Sequence, residues 1–306
     1  MPLSTVLFVG NSYTERNDLA EITAGLLTAA GAPESPTALT GDGFTWADHL
    51  ERIEGGAPAW STAFGQPWHR MVFQEQSQIP GFPEDNPEVV ASRANAVALD
   101  GLAAEAGAET WLFMTWGRRD GDQDNPALYP DFPTMAALLD AGYLATRQGL
   151  PAGRPAYVAP AGRAFRVVWE DATAVGDPLA TESAFYRLYS GDGSHPSPLG
   201  TALVACVLTT SFTGVPCSGL PVDGIDPSDL EWAQAAADEA VFGSSDLTFP
   251  WTSAPEPEPD TGSEPEPEQD PSPERASGCE TTGSPSTAGP AAAALALLRR
   301  RRPAGA

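Results

Sequence analysis

The run Thr5-Val6-Leu7-Phe8-Val9-Gly10-Asn11-Ser12-Tyr13-Thr14 decides how the rest of the chain is read. Its apolar residues form an unbroken stretch that stops abruptly at a glycine. A short run of this kind bounded by turn residues marks a strand buried on both faces. Next, Asn17 and Asp18 offer caps for a helix whose apolar face includes Leu19, Ile22 and Leu26 and which ends at Gly31. Later strand candidates are Met71–Phe73, Trp111–Met114 and Ala156–Ala159, with helical stretches near 87–106, 133–149 and 198–210. Buried strands alternating with helices specify a parallel sheet covered on both faces. In such a sheet the end of the first strand lies at the C-terminal edge, where ligands bind. Ser12 is therefore a residue to watch, although Asn and Ser are also ordinary turn formers.

Composition narrows the chemistry. The 306 residues are 42% hydrophobic, enough for a substantial core, and include 8 Trp and 12 Phe. The charge is −25, from 41 Asp and Glu against 16 basic residues, and every basic residue is Arg. Without lysine there is no P-loop lysine, Schiff-base lysine or Ser-Lys dyad. A surface this negative repels phosphate backbones, which argues against a nucleic-acid partner. The acidity belongs to the body of the chain, because residues 252–306 contribute nine acids and five arginines, leaving −21 for the remainder. Three cysteines are too few for a disulfide scaffold. Cys206 and Cys217 are near enough in sequence to pair, and two buried thiols are an equal reading.

Three segments follow. Residues 1–250 carry the α/β pattern. Residues 251–277 hold alternating Pro and Glu, such as Pro255-Glu256-Pro257-Glu258, which remove backbone donors and repel one another. That segment is expected to be a disordered linker, extended at about 3 Å per residue. Residues 278–306 run from Gly278-Cys279 through a short Ala/Leu stretch to Arg299–Arg302, too short to cross a bilayer, which takes about 20 residues. This end resembles myxobacterial-type C-terminal sorting signals. The resemblance implies a secreted or cell-surface protein attached to the envelope through its C-terminus. The first strand begins so close to Met1 that it leaves no room for a signal peptide, so either the true start lies upstream of the sequence as given or the surface reading does not hold.

A second motif completes the first. Asp192-Gly193-Ser194-His195-Pro196-Ser197-Pro198 contains one of only three histidines, three residues after an Asp. A glycine-bearing loop lets the carboxylate fold back on one imidazole nitrogen and leaves the other to take a proton from a serine. Ser197 caps and Pro198 opens the next helix, which fixes the loop. Together the two motifs resemble the SGNH/GDSL hydrolase superfamily, over about residues 4–210. The resemblance implies a flavodoxin-like three-layer α/β/α sandwich with a catalytic triad of Ser12, Asp192 and His195, and no cofactor. No Gly-x-Ser-x-Gly elbow occurs, so the α/β-hydrolase fold is not indicated.

The rest of the superfamily pattern is altered. The expected oxyanion donors are the Ser12 and Gly43 N–H groups. The usual Gly-x-Asn-Asp block is replaced by Gln74-Glu75-Gln76-Ser77-Gln78, as in a subgroup with a Gly-Asn-Ser-Tyr-Thr nucleophile block. A Gln amide can donate to an oxyanion, and Gln74 is favoured over Gln76. Asn11, Ser77 and Trp116 are placed as substrate contacts, Trp116 as a wall for a sugar or acyl group. The segment Asp120-Gly121-Asp122-Gln123-Asp124-Asn125 with Asp131 spaces carboxylates as a calcium loop does. Asn125 at the turn position, Asp131 at the last ligand position and Pro126 all depart from that pattern, so a solvated acidic loop and no metal are expected. His49 and His69 lack a second ligand at metal spacing and are read as structural. The expected function is metal-independent hydrolysis of carboxylic esters, with O-acetylated carbohydrate ahead of lipid esters. The alternative is a non-catalytic glycan-binding module on the same fold.

Overall fold

The computed structural model describes residues 4–252. The remainder of the acidic linker and the segment 278–306, with Cys279, lie outside the described residues. The opening run forms β1 (Ser4–Gly10), then α1 (Ser12–Glu15), a 3-10 turn (Arg16–Asp18) and α2 (Leu19–Ala29). There follow β2 (Glu34–Thr40), α3 (Trp46–Glu54), α4 (Pro58–Phe64), β3 (Arg70–Phe73), α5 (Pro87–Glu105), β4 (Glu109–Phe113), α6 (Phe132–Gly149) and β5 (Ala156–Ala159). The fold continues with α7 (Ala161–Val175), α8 (Ala184–Arg187), α9 (Pro198–Thr213) and α10 (Pro227–Phe242).

The five strands pair in parallel in the order β2-β1-β3-β4-β5. Because side chains alternate along a strand, each strand feeds two cores. Val6 and Phe8, Val72, Trp111 and Phe113 point into a core built with α2, α7, α9 and α10. Leu7 and Val9, Met71, Phe73 and Leu112 point into the other, built with α3 and α5. This is the expected three-layer α/β/α sandwich, and it explains why β1 shows no polar alternation.

Several elements escape sequence inspection for physical reasons. β2 contains Pro36 and is mostly exposed or half-buried, which an edge strand tolerates. α9 is buried on nearly every side between α2, α7 and α10, so it is apolar all round and shows no amphipathic stripe. Among the described residues no helix is long and apolar enough to cross a membrane.

Cys206 on α9 is bonded to Cys217 in the loop before α10, with Cα atoms 5.4 Å apart. Asp238 of α10 accepts from Cys217 N (2.7 Å), Ser218 N (3.0 Å) and Thr210 Oγ1 (3.0 Å), so one carboxylate clasps the bridged loop. The two cysteines are 11 residues apart. Closing a loop of that length restricts the unfolded chain by about 2–3 kcal/mol. Reduction, or a Cys217→Ser substitution, is expected to lower unfolding free energy by about that amount, measured by urea denaturation with and without dithiothreitol.

Candidate active site

The turn that carries Ser12 is built by a buried carboxamide. Gln74, at the end of β3, is fully buried, and its Oε1 accepts from Asn11 N (2.9 Å) and Thr14 Oγ1 (3.0 Å). A Cβ on Gly10 would stand 2.3 Å from that Thr14 oxygen and 2.6 Å from Gln74 Oε1, so only glycine fits there. Asn11 caps α1, its side chain accepting from Tyr13 N (3.1 Å) and donating to Phe44 O (3.0 Å). Behind the turn, His49 Nε2 donates to Gly10 O (2.9 Å) while its Nδ1 accepts from Trp60 Nε1 (3.1 Å). Those partners fix the neutral tautomer. Burial lowers the His49 pKa to about 4, against the Gly10 carbonyl and Asp48, which raise it.

Ser12 Oγ lies 2.8 Å from His195 Nε2, and His195 Nδ1 lies 2.7 Å from Asp192 Oδ2. The other Asp192 oxygen accepts from the N–H groups of Ser194 and His195, both at 2.9 Å. Partial burial pushes the Asp192 carboxyl pKa up, but the bonds from Ser194 N–H, the His195 ring and His195 N–H outweigh it, leaving the pKa below the usual carboxylate range. Gly193, at φ 69°, supplies the left-handed residue that folds the carboxylate back onto the ring.

Neighbouring loops hold this turn. Arg119 N donates to Gly193 O (2.8 Å), Trp116 Nε1 to Ser194 O (3.2 Å), and Tyr13 OH meets Ser194 Oγ at 2.6 Å. The sequence also assigns Asn17 and Asp18 as caps of α2, and here the structure differs. Both are left-handed, at φ 54° and 57°, and Asp18 makes no cap bond. Asn17 instead donates to Pro196 O (3.2 Å) and Thr201 Oγ1 (2.9 Å), pinning the Ser12 segment to the histidine loop. Left-handed non-glycine backbone costs free energy and persists where tertiary contacts demand it.

Asn11, Ser12, Gly43, Gln76, Ser77 and His195 all line a pocket of about 360 Å³. The Ser12 and Gly43 N–H groups have no acceptor among the described residues. Two expected site residues lie elsewhere. Gln74 does not reach the pocket, because its oxygen serves the turn at Ser12 and its Nε2 donates to Glu75 O. Trp116 is fully buried beneath the pocket floor, stacked between Tyr13 (4.7 Å) and Phe165 (4.5 Å). Tyr13, and not Trp116, lines the pocket. Gln76 reaches the pocket with its amide bonded to Gln78.

The acidic loop does not gather its carboxylates. Asp120 pairs with Arg119 (2.8 Å), Asp131 caps α6 through Thr134 N (2.9 Å), and Asp122 is buried among other donors. Among the described residues no cluster of His, Cys, Asp or Glu is arranged to hold a metal. His69 lies at the opposite edge of the sheet, beside Glu34 at 3.1 Å. Sequence inspection misses Tyr13, Asn17, Ser194 and the buried Glu75, which accepts from Trp46 N (3.0 Å) and Gln76 N (2.8 Å). Tyr13 and Ser194 sit inside the two motifs, a signal available but unused. Glu75 has no signal, since an acidic residue within a polar run reads as exposed.

No protein-family model matches the sequence, and no curated protein matches it either. Solved structures do. A proposed SGNH hydrolase from Slackia heliotrinireducens aligns at 25% identity and TM-score 0.51, over 67% of this chain and 97% of that one. A DUF4886-family protein from Bacteroides uniformis aligns at 18% identity and TM-score 0.62, over 81% of this chain and 98% of that one. The fold is that of the SGNH hydrolases.

Two outcomes follow from the buried network. Gln74→Ala leaves Asn11 N–H and Thr14 Oγ1 without their acceptor, an expected loss of about 1–3 kcal/mol in urea denaturation. His49 stays neutral in the folded state down to about pH 4, whereas the unfolded chain protonates near 6.5. Stability is therefore expected to fall as pH drops from 6.5 towards 4, by up to about 3 kcal/mol from this group. Denaturation curves at pH 7 and 4.5, compared with a His49→Gln variant lacking that component, measure it.

Proposed function

We propose that the protein is a serine hydrolase of carboxylic esters, acting through Ser12, His195 and Asp192. The observation that carries this reading is the unbroken hydrogen-bonded line from Ser12 Oγ through His195 to Asp192, opening beside a pocket at the C-terminal edge of the sheet. His195 takes the proton of Ser12 Oγ as that oxygen attacks the acyl carbon. Asp192 holds the ring with Nδ1 protonated and stabilises the imidazolium. The free N–H groups of Ser12 and Gly43 receive the developing oxyanion, with the pocket-lining Gln76 the side chain available to assist. His195 then gives its proton to the departing alkoxide, releasing the alcohol and leaving an acyl-serine. Water repeats the sequence: His195 removes its proton, the hydroxide attacks the acyl carbon, the bond to Ser12 breaks, and Ser12 Oγ recovers the proton.

The favoured substrate is an O-acetylated carbohydrate. The pocket is open and mixed in polarity, which suits a hydrated alcohol better than a long acyl chain. The description of the Slackia protein as an SGNH hydrolase agrees with the reaction class. We place the protein at the cell surface or outside the cell. The Cys206–Cys217 disulfide suits an oxidising compartment, and residues 278–306 would provide attachment.

Labelling with a fluorophosphonate probe tests the reading. Wild type is expected to react at Ser12, Ser12→Ala and His195→Ala to lose reaction by at least about 10⁴-fold, and Asp192→Asn by about 10²–10⁴-fold. A folded wild type that stays unlabelled but binds acetylated glycans would instead make the chain a glycan-binding module.

A further inference from the structure

The acidic loop after β4 has a use other than metal binding. Asp122 has a fully buried side chain and accepts from Gln78 Nε2 (2.7 Å), Asn125 Nδ2 (2.7 Å), Asp124 N (3.1 Å) and Arg118 Nη1. Burial alone would push its carboxyl pKa up. The bonds from Asn125, Gln78, the Asp124 N–H and Arg118 outweigh it and hold the group ionised. The loop thus folds around one buried carboxylate whose charged partner is Arg118.

Arg118 lines the same pocket as Ser12 and His195. Its side chain is 21% exposed, its Nη1 meets Asp122 and lies 3.9 Å from the exposed Asp124, and its Nε is buried without a partner among the described residues. Its charge is felt at the hydroxyl of Tyr13, another pocket residue, where it opposes the effect of burial. Arg16, the residue that ends α1, also lines the pocket. It is exposed and has no acidic partner among the described residues. One carboxylate, the exposed Asp42, lines the pocket with them. In a chain of charge −25 with 16 arginines, two of them converge on the candidate nucleophile.

An arginine held through Nη1 by a buried carboxylate keeps its orientation, and with Nε buried its Nη2 group remains to donate to a carboxylate at a fixed position. We infer that Arg118, steadied by Asp122 and assisted by Arg16, binds a carboxylate on the substrate, so that the preferred ester is an anionic one, such as an acylated acidic sugar. This rests on the proposed esterase reading and adds the substrate's charge to it. The overall negative field of the protein repels such a substrate at long range. The discrimination must therefore come from short, directional bonds in the pocket rather than from steering.

Paired substrates test it. Hydrolysis of 4-nitrophenyl acetate is compared with that of 4-acetoxybenzoate, anionic on the alcohol side, and 4-nitrophenyl hemisuccinate, anionic on the acyl side. One anionic ester is expected to exceed its intrinsic reactivity relative to the neutral ester by about tenfold or more in kcat/KM, and which one does so locates the carboxylate. In Arg118→Gln that preference is expected to fall about tenfold, with a partial return in Arg118→Lys, which keeps the charge but not the fork. Since Arg118→Gln leaves Asp122 buried and unpaired, Arg16→Gln, at an exposed position, serves as the second variant, with an expected fall of about twofold to fivefold. No anionic preference in wild type, or a preference unchanged in both variants, overturns the inference. A calorimetric titration of succinate and of 4-hydroxybenzoate into the Ser12→Ala protein separates the two claims. Arg118-dependent binding with no hydrolysis by wild type would sink the esterase reading and keep the anion site. Hydrolysis of neutral esters with no carboxylate binding would do the reverse.

Discussion

One oxygen atom organises the site. Gln74 Oε1 accepts from the Asn11 backbone and the Thr14 hydroxyl at once, and no water competes for it because the residue is fully buried. A buried acceptor left unsatisfied is costly, so the network settles in one arrangement. That arrangement dictates glycine at position 10, where a Cβ would collide with the Thr14 hydroxyl and with Gln74 Oε1 itself. It also fixes the start of α1 and so the direction of Ser12. Glu75 performs the same service one residue later, tying the start of α3 to the strand end through Trp46 N–H. Burial holds the Glu75 pKa above the usual carboxylate range, and bonds from Ser92, Gln76 and Trp46 offset this only in part.

This division of labour accounts for what sequence inspection finds and what it does not. The strand-end serine and the Asp-x-x-His turn are local patterns, and the chemistry they need is contained within a few residues of each. The structure brings Ser12, His195 and Asp192 within hydrogen-bond distance. The role of Gln74 is not local. Whether its amide faces the pocket or the strand behind it depends on how β3 packs against β1, and a row of glutamines gives no hint of that. Trp116 illustrates the same point. Its position after β4 is legible, but Tyr13 and Phe165 sandwich it out of solvent. The fold is easier to read than the support of the site, since two-faced burial leaves an apolar run in β1, β3 and β4. α9 hides its helical period because it is buried all round, and β2 hides its strand character at an exposed edge.

Charge has a similar local logic. A chain without lysine must make its ion pairs with arginine, whose planar fork suits buried, bidentate contacts. Arg70 with Glu34 and Glu109, and Arg163 with Asp140 and Asp246, are examples. The carboxylates of the loop after β4 are likewise spent on protein donors. An acidic spacing that resembles a cation site on paper becomes, once folded, a set of separate clamps.

The bond between Ser12 and His195 joins residues 183 positions apart. Four of the five strands, β2 to β5, and most helices lie between them, and such long-range contacts form late because distant segments must meet first. A chain still emerging from the ribosome would display its serine early, at the end of β1, yet have no base beside it until α9 is synthesised and docked. On the proposed reading, reactivity would be withheld from nascent and partly unfolded molecules and would come only with the finished fold, a built-in check against acting before the molecule is whole.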